Sequence, residues 1–187
     1  MVLSGILGPV LASIQTNTAL DESLSILLKT LTDANKCPKQ ELAADIIIPL
    51  FTVLPTLASS HSDPNVRMQV FRIISLLLSL APSPLRLQIL RDLTSDPDLP
   101  QMCVAAIELL KEAVLEALSL NVPNVFASYT FLQTFGPVLF CPRPSNFLSL
   151  RLSMDDLRDS QELPRLVQCL SLYYVLLLRD KQNKVCL

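Results

Sequence analysis

The chain contains 187 residues, of which 50% are hydrophobic and 17% are charged, and its net charge is −2. A chain of this length forms one domain or one section of a longer array. Its charge gives no reason to expect nucleic-acid binding, which requires many phosphate-neutralising cations. The 3 glycines and 14 prolines argue against tight β-hairpins and glycine-rich phosphate loops.

Neither an export signal nor a membrane span is predicted. No basic region precedes the apolar stretch at the N-terminus. The longest nearly apolar stretches, residues 46–58 and 166–178, have about 13 residues each, whereas a bilayer-spanning helix needs roughly 18–20. We therefore expect a protein of the cytoplasm, and of the nucleus as well.

The chain has five widely spaced cysteines, and none lies at metal-ligand spacing from another. This pattern predicts reduced thiols, as in the cytoplasm or nucleus. Most are expected to pack as small core residues, with a redox-sensing thiol as the alternative. Cys186, next to the end of the sequence, is the one expected to be exposed. The cysteines are Cys37, Cys103, Cys141, Cys169 and Cys186.

Apolar residues at helical spacing predict two helices at the start of the chain. The first covers residues 3–15, and the second carries a leucine face. Thr18 is the predicted N-cap of the second helix, because Asp21 follows three residues later. The segment from Asn35 to Pro38 should end this helix and begin another, with Pro38 in its first turn. The leucine face consists of Leu20, Leu24, Leu27, Leu28 and Leu31.

That next helix is predicted from about Lys39 to Ser59, with a bend or break at Pro49 and Pro55. Each proline removes an amide donor and crowds the carbonyl four residues earlier. Asp63 is then predicted to cap the following helix by accepting a hydrogen bond from a first-turn amide, with Pro64 at the first helical position.

Residues 45–81 and 84–120 are predicted to be two copies of one helical unit, offset by 36 positions, as from Val66 to Met102. A helix pair repeated at such a period cannot bury its apolar face alone, so it stacks on a copy of itself in an α-solenoid. In the overlay, Val66, Val70, Phe71, Ile73, Ile74 and Leu77 fall on Met102, Ala106, Ile107, Leu109, Leu110 and Ala113.

We therefore predict an all-α fold, an α-solenoid of HEAT/ARM-like helical hairpins that is a section of a longer array. Residues 1–187 are expected to form a single helical-repeat domain. Its predicted segments are first helices at 1–36, a HEAT-like unit at 37–81, a second unit at 84–120, an irregular proline-rich segment at 121–153 and C-terminal helices at 154–187.

Prolines interrupt the pattern after residue 120. A helix is predicted at roughly 124–135, followed by an extended loop through Pro142 and Pro144. Ser153 and Asp156 predict a capped short helix, and Pro164 is predicted to begin the last helix. Because residues 173–178 of that helix are apolar all round, we expect them to be covered on more than one side. Either earlier helices cover them, or the chain is a section of a longer solenoid, whose uncapped end exposes apolar surface and invites association.

No catalytic site is predicted, and the chain is expected not to be an enzyme. Ser59, His61 and Asp63 are close in sequence, but a solvated turn with Asp63 as a helix cap explains them without a triad. Asp155 and Asp156 are explained as first-turn carboxylates rather than as acid/base or metal-binding groups. We therefore predict no catalytic, cofactor-binding or metal-binding residues, no cofactor and no small-molecule substrate.

Two groups of residues carry alternative interpretations as binding residues. Tyr173 and Tyr174 are predicted in the core, and an exposed pair would instead suit a binding hot spot. Four arginines of the irregular region are predicted as ordinary surface charge, or alternatively as contacts to an acidic partner. The arginines are Arg143, Arg151, Arg158 and Arg165.

The stretches from Leu90 to Leu118 and from Leu166 to Asn183 resemble the glomulin family, which includes the plant ALF-type proteins and the fungal Yap-binding proteins. The first runs LRDLTS, then PQMCVAAIELLKEAVLEAL, and the second runs LVQCLSLYYVLLLRDKQN. The resemblance is best over residues 85–187. It implies a HEAT-like helical fold that binds protein partners.

The resemblance to glomulin implies binding to the RING-box subunit of a cullin-RING (SCF) ubiquitin ligase, which masks the face of that subunit that binds the E2. In the fungal branch it implies binding to a stress-responsive bZIP transcription factor and support of its oxidation. A generic HEAT-type scaffold or adaptor in trafficking or complex assembly is the alternative. The resemblance assigns no partner-binding residue in this sequence, so that surface stays open at this point.

Overall fold

The computed structural model describes residues 2–36, 41–120, 122–151 and 153–186, and over these ranges it contains helices and no strand. This confirms the all-α prediction. The chain splits into two compact units, Met1–Arg86 and Leu87–Leu187. Within each unit, helices that are neighbours in sequence pack together, which is compatible with an α-solenoid.

The helices of the described chain are α1 (Val2–Thr16), α2 (Leu20–Asn35), α3 (Ala44–Phe51), α4 (Leu54–Ser60), α5 (Pro64–Ser79), α6 (Ser83–Ser95), α7 (Pro100–Ser119), α8 (Tyr129–Leu139), α9 (Met154–Asp159) and α10 (Glu162–Arg179). Short loops join most of the helices up to α7, and longer connections lie between α7 and α8 and between α8 and α9. Short 3₁₀ turns occur at Val125–Ala127 and Phe147–Ser149. No described helix is long and apolar enough to cross a lipid bilayer.

In the first unit, α2 and α4 pack against α5, and α1 packs against α2 and α3. The leucine face of α2 is buried as predicted, except that Leu28 is half-buried. The leucine face of α2 packs against the apolar face of α5, so each helix removes the apolar side chains of the other from water. The fully buried residues of these faces are Leu24, Leu31, Val70, Ile73, Ile74 and Leu77.

The predicted cap of α2 is wrong. The N-cap is Ala19, which has a left-handed backbone (φ 49°) and makes no side-chain cap. Ser13 of α1 explains the difference, because its hydroxyl donates hydrogen bonds to the carbonyls of Thr18 and Ala19. The Thr18 hydroxyl pairs with that of Thr16 instead. The sharp turn is therefore held from the preceding helix.

The long helix predicted at 39–59 is two shorter helices. The break lies at Thr52 and Val53, directly before Pro55, which occupies the first turn of α4 where its missing amide is harmless. Pro49 lies inside α3 without ending it. The predicted helix start at Pro38 falls outside the described residues. The helix of this region begins at Ala44 instead.

Asp63 caps α5 as predicted. Its carboxylate accepts a hydrogen bond of 2.8 Å from the amide of Asn65, and Pro64 follows at the first helical position. Arg67, one turn later, donates to the carbonyls of His61 and Ser62. The turn that enters α5 is therefore fixed from both sides.

In the second unit, α7 packs against α10 and against the 3₁₀ turn at Val125–Ala127, which also contacts α8. The overlaid positions of α5 and α7 are all buried except Phe71, which is half-buried. The matching burial agrees with the sequence overlay. That residues 1–187 form a single repeat domain stays a prediction.

The irregular segment contains more helix than predicted. Instead of one helix at 124–135, a 3₁₀ turn precedes α8, which continues through Gly136 and Pro137 to Leu139. The segment through Pro142 and Pro144 is a loop as predicted, but it consists of bends and a turn rather than extended chain, with a cis bond before Pro144. Ser153 and Asp156 form a complete capping box on α9. The last helix begins at Glu162, two residues before Pro164.

Candidate functional site

The last helix, α10, has one buried face and one exposed face. The buried residues recur at intervals of three or four, and they lie on the side of α10 that packs against α7 and α8. Two of the five are charged, which no sequence pattern indicated. The buried residues are Glu162, Arg165, Cys169, Leu172 and Leu176.

The opposite face of α10 is apolar and exposed. Complete cover of residues 173–178 by earlier helices is wrong, because their outward side chains lie in solvent. The alternative, that this side faces a further unit of a longer solenoid, stays a prediction. The prediction that Tyr173 and Tyr174 are core residues is also wrong, since they are 38% and 62% exposed. We call the six residues on the outward side the α10 stripe. They are Leu163, Val167, Leu170, Tyr174, Leu177 and Leu178, at 46% to 67% exposure.

A groove of about 240 Å³ runs beside the stripe, between the end of α8 and the middle of α10. The ring of Phe140 meets that of Tyr173 edge to face, with centroids 5.7 Å apart and planes at 83°. Both aromatic rings are partly exposed, so they form a wall that a ligand can contact. The other lining residues are Leu139, Leu166, Cys169 and Leu170.

Basic side chains lie at the C-terminal end of α10, where Arg179 and Lys181 line a pocket with Leu118 of α7. Arg179 and Lys181 are both exposed, and Arg179 lies in the last helical turn, where a cation complements the helix dipole. The carboxylate of Asp180 is engaged with the backbone, because it accepts hydrogen bonds from the amides of Lys184 and Val185 at 2.8 and 2.9 Å. Arg179 continues the three- and four-residue spacing of the buried residues, so it lies on the inner side of α10 and not at the end of the stripe.

A buried ion pair holds the inner face of α10. The guanidinium of Arg165 donates to both carboxylate oxygens of Glu162 at 2.6 Å. It also donates to the carbonyls of Val138 and Cys141 at 2.7 and 2.8 Å. The hydrogen bonding that Arg165 donates to Glu162 raises the pKa of Arg165 above its ordinary range. Arg165 thus joins the end of α8 and the following loop to α10.

The same network fixes the proline-rich loop. Glu162 accepts a hydrogen bond from the amide of Arg143, whose guanidinium donates to the carbonyl of Thr94 on α6. Arg143 and Arg165 are therefore structural, which contradicts their prediction as surface charge or partner contacts. Arg151 is exposed. The side chain of Arg158 lies outside the described residues.

A model of an uncharacterised protein family, described as YAP/Alf4/glomulin, matches residues 8–186. The chain belongs to the YAP/Alf4/glomulin family. The match extends over most of residues 1–84, where the sequence offered only a general repeat pattern. No curated protein and no solved structure matches the chain.

In this member of the YAP/Alf4/glomulin family, the described cysteines form two classes. Cys103 and Cys169 are buried, and burial raises the pKa of each thiol above its usual 9.0. Cys141 and Cys186 are exposed, as predicted for Cys186. Cys37 lies outside the described residues. Within the described ranges, no group of three or more His, Cys, Asp or Glu side chains could hold a metal.

The residues weighed as catalytic groups are engaged in local structure. The amide of Asp63 donates to Nδ1 of His61 at 3.1 Å, and the carboxylate of Asp63 caps α5. The amide and the hydroxyl of Ser153 donate to the carboxylate of Asp156 and lower its pKa. Asp155 lies exposed in the first turn of α9. These contacts are those of a turn and two helix caps.

Sequence reasoning identified the apolar breadth of α10 but not which of its residues are exposed. The breadth was attributed to cover by earlier helices or to the apolar end of a section of a longer solenoid. A usable signal was the charged pair at Glu162 and Arg165, three residues apart and in phase with Cys169 and Leu172. Had that polar side been recognised as buried, the opposite side would have been predicted to be exposed.

Proposed function

We propose that this chain is a non-enzymatic, protein-binding helical-repeat protein that regulates either a cullin-RING (SCF) ubiquitin ligase or a stress-responsive bZIP transcription factor. Its partner would be the RING-box subunit of the ligase or the bZIP factor itself. The proposal places the protein in the cytoplasm and nucleus, where both kinds of partner act. The observation that carries it is the exposed apolar α10 stripe on a member of the YAP/Alf4/glomulin family.

The energetics of the stripe favour a binding role. Exposed apolar patches of several hundred Å² on a soluble protein mark interaction surfaces. Fully burying a large apolar side chain contributes about 1.5–3 kcal/mol, so covering six that are roughly half exposed yields on the order of 5–9 kcal/mol. Association costs consume much of this gain. What remains suits a regulated and reversible complex.

Contact alone would account for the regulation. A helical protein that covers the E2-binding face of a RING subunit blocks ubiquitin transfer without any chemistry of its own. The exposed aromatic residues Tyr173, Tyr174 and Phe140 support such a role, because Tyr and other aromatic residues dominate binding hot spots.

The test measures direct binding of the purified chain to two immobilised partners, a RING-box subunit in complex with its cullin and a bZIP stress factor. We expect binding to one of them, and we expect Leu170→Glu to weaken that binding at least about tenfold, as at a hot spot. Met68→Glu is the matched control, since Met68 is an exposed apolar residue on α5. Binding to neither partner would reject both regulatory roles and would favour the alternative of a generic HEAT-type scaffold or adaptor.

For the ligase role, a second readout is E2-dependent ubiquitin chain assembly with purified components. Added chain should inhibit assembly, and the Leu170→Glu variant should inhibit less at the same concentration. Tight binding without any inhibition would reject the masking mechanism while leaving the binding role intact.

A further inference from the structure

The segment from Pro82 to Arg86 carries a modification signal that neither the helical core nor the α10 stripe accounts for. Ser83 is the only serine or threonine of the sequence that a proline follows directly, and Arg86 lies three residues after it. Proline-directed protein kinases select such a serine, and one class of them also prefers a basic residue at the third position. The proline is favoured because an ordinary residue would leave its amide without a partner in the kinase pocket.

We propose that Ser83 is a phosphorylation site for a proline-directed serine/threonine kinase, and that the phosphate stabilises the first turn of α6. The proposal goes beyond the partner-binding role above and does not depend on it. In the transfer step, Oγ of Ser83 attacks the γ-phosphorus of MgATP held by the kinase. The bond from Oγ to phosphorus forms and the bond from phosphorus to the bridging oxygen breaks. The catalytic base of the kinase accepts the hydroxyl proton, and ADP leaves.

The place of Ser83 in the fold brings it to the surface. It is the first residue of α6, directly after the short connection from α5. Ser83 is half-buried, and Pro84, which the kinase has to recognise, is exposed. The segment is therefore open to a large enzyme from the side of Pro84.

A kinase binds its substrate segment in an extended form, so the first turn of α6 has to open. Neither Pro82 nor Pro84 can donate an amide hydrogen bond to the turn. A residue that precedes a proline prefers extended backbone, and Ser83 is such a residue. Opening breaks the 2.9 Å hydrogen bond from the amide of Arg86 to the carbonyl of Pro82. Helix ends open in this way without unfolding of the rest of the protein.

The N-terminus of α6 suits the phosphorylated product. The amides of a first helical turn lack partners within the helix and form the positive end of its dipole. Among the described residues from Ser83 to Arg86, the first turn of α6 contains no acidic side chain. A phosphoserine carries a charge of about −1.5 to −2. It therefore supplies the anion that this helix end lacks, three residues before the cation of Arg86.

Ser153 shows by contrast why Ser83 is the favoured site. Ser153 also precedes a helix, but Met154 follows it, so the proline signal is missing. Its hydroxyl is engaged in the capping box with Asp156. A phosphate at that position would replace this cap and would lie close to the carboxylates of Asp155 and Asp156.

The first experiment treats the purified chain with MgATP and a cyclin-dependent kinase, a class that prefers both the proline and the basic third residue. Tandem mass spectrometry locates the phosphoryl group, and a peptide with the sequence of residues 77–92 is the reference substrate. We expect phosphorylation of the native chain at Ser83 and none at this position in Ser83→Ala. Absence of phosphate at Ser83 in the native chain, whether or not the peptide is modified, would overturn the proposal.

Two substitutions test which residues the kinase reads. Pro84→Ala should lower kcat/KM by at least about tenfold, and circular dichroism should show native helix content because alanine is compatible with a first helical turn. Arg86→Gln in the peptide, which has no fold to lose, should lower kcat/KM several-fold. Undiminished modification of Pro84→Ala would overturn the assignment to a proline-directed kinase.

A destabilised variant shows whether the kinase acts on the folded chain. Leu31 of α2 is fully buried, so Leu31→Ala weakens the fold without changing the segment around Ser83. If α6 opens locally, this variant and the native chain should be phosphorylated at similar rates. A rate more than about tenfold higher in Leu31→Ala would show that Ser83 is reached only through global unfolding, and it would overturn the proposal.

Thermal unfolding followed by circular dichroism tests the effect of the phosphate. We expect the Tm of the phosphorylated chain to exceed that of the unmodified chain by about 1–4 °C, as for an anion at a helix N-terminus. High salt should reduce this gain, and kinase-treated Ser83→Ala should show none. An equal or lower Tm after phosphorylation would overturn the stabilising role of the phosphate.

Discussion

The helices α7 and α10 pack against each other and have similarly apolar sequences, yet they are covered very differently. In α7, nine residues are buried, and none of its large apolar side chains is exposed. In α10, five residues are buried and two of these are charged, whereas seven large apolar residues are exposed. The comparison shows that the apolar content of a helix does not determine its burial. Burial depends on how many sides meet another element.

The difference also separates two kinds of stabilisation. The helix α7 is held by apolar contacts all along its inner face, as expected for a core helix. The inner face of α10 depends in addition on the Arg165 and Glu162 pair, which joins it to the end of α8 and the loop that follows. Variants that affect one mechanism and not the other test this contrast.

The largest effect is expected from Arg165→Met. It leaves the buried carboxylate of Glu162 uncompensated and removes the donors to two carbonyls, so the free energy of unfolding should fall by about 3–5 kcal/mol. Urea unfolding followed by circular dichroism measures this loss. Arg179→Met, which removes an exposed arginine from the same helix, should change it by less than about 0.5 kcal/mol.

A double variant distinguishes the buried charge from lost packing. Glu162→Gln combined with Arg165→Met should recover part of the loss, because no unpaired charge then remains inside. If the double variant is as unstable as the sum of the single ones, the pair contributes through packing alone and the account of α10 is incorrect.

The next effect compares a leucine of α7 with one of α10. Leu110 is fully buried, so Leu110→Ala should lower the free energy of unfolding by about 2–5 kcal/mol. Leu170 is 67% exposed, so Leu170→Ala should cost less than about 0.5 kcal/mol. Similar losses for the two variants in urea unfolding would show that the outer face of α10 is covered in solution.

A smaller effect concerns pH and the buried thiol of Cys169. Because burial raises its pKa above 9.0 in the folded chain, the unfolded chain loses this proton first as the pH rises. The unfolded state then binds fewer protons than the folded state, and the free energy of unfolding falls with rising pH above about 9. Cys169→Ala should make this decline shallower, and Cys186→Ala, at an exposed position, should not. An unchanged slope in Cys169→Ala would contradict the prediction.

The smallest effect is expected at the surface link between the two helices. Lys111 of α7 lies 2.6 Å from the carboxylate of Glu108 and 3.4 Å from the hydroxyl of Ser171 on α10. Surface ion pairs contribute about 0–1 kcal/mol, so Lys111→Met should lower the free energy of unfolding by no more than that. A loss as large as that of Arg165→Met would show that polar contacts, and not the apolar face, hold α7 to α10.

Local sequence signals determined where most helices lie. Asp63 with Pro64, and Ser153 with Asp156, marked helix starts correctly because a cap needs only a side chain and the amides of the next turn. Pro55 marked a helix break for the same local reason. The apolar periodicity of α2, α5 and α7 identified their buried faces, since a helix with one apolar stripe has one way to remove it from water.

Only the tertiary structure decided what covers each helix and which polar groups are buried. Thr18 does not cap α2, because the turn is held by the Ser13 hydroxyl of the preceding helix, which donates to the carbonyl of Ala19. Arg165 donates to carbonyls 24 and 27 residues earlier in the chain. The exposure of the α10 stripe likewise depends on which elements lie around it. The sequence therefore determined an all-helical chain with defined starts and inner faces. The tertiary structure decided its surface, because exposure is a property of neighbours and not of a helix alone.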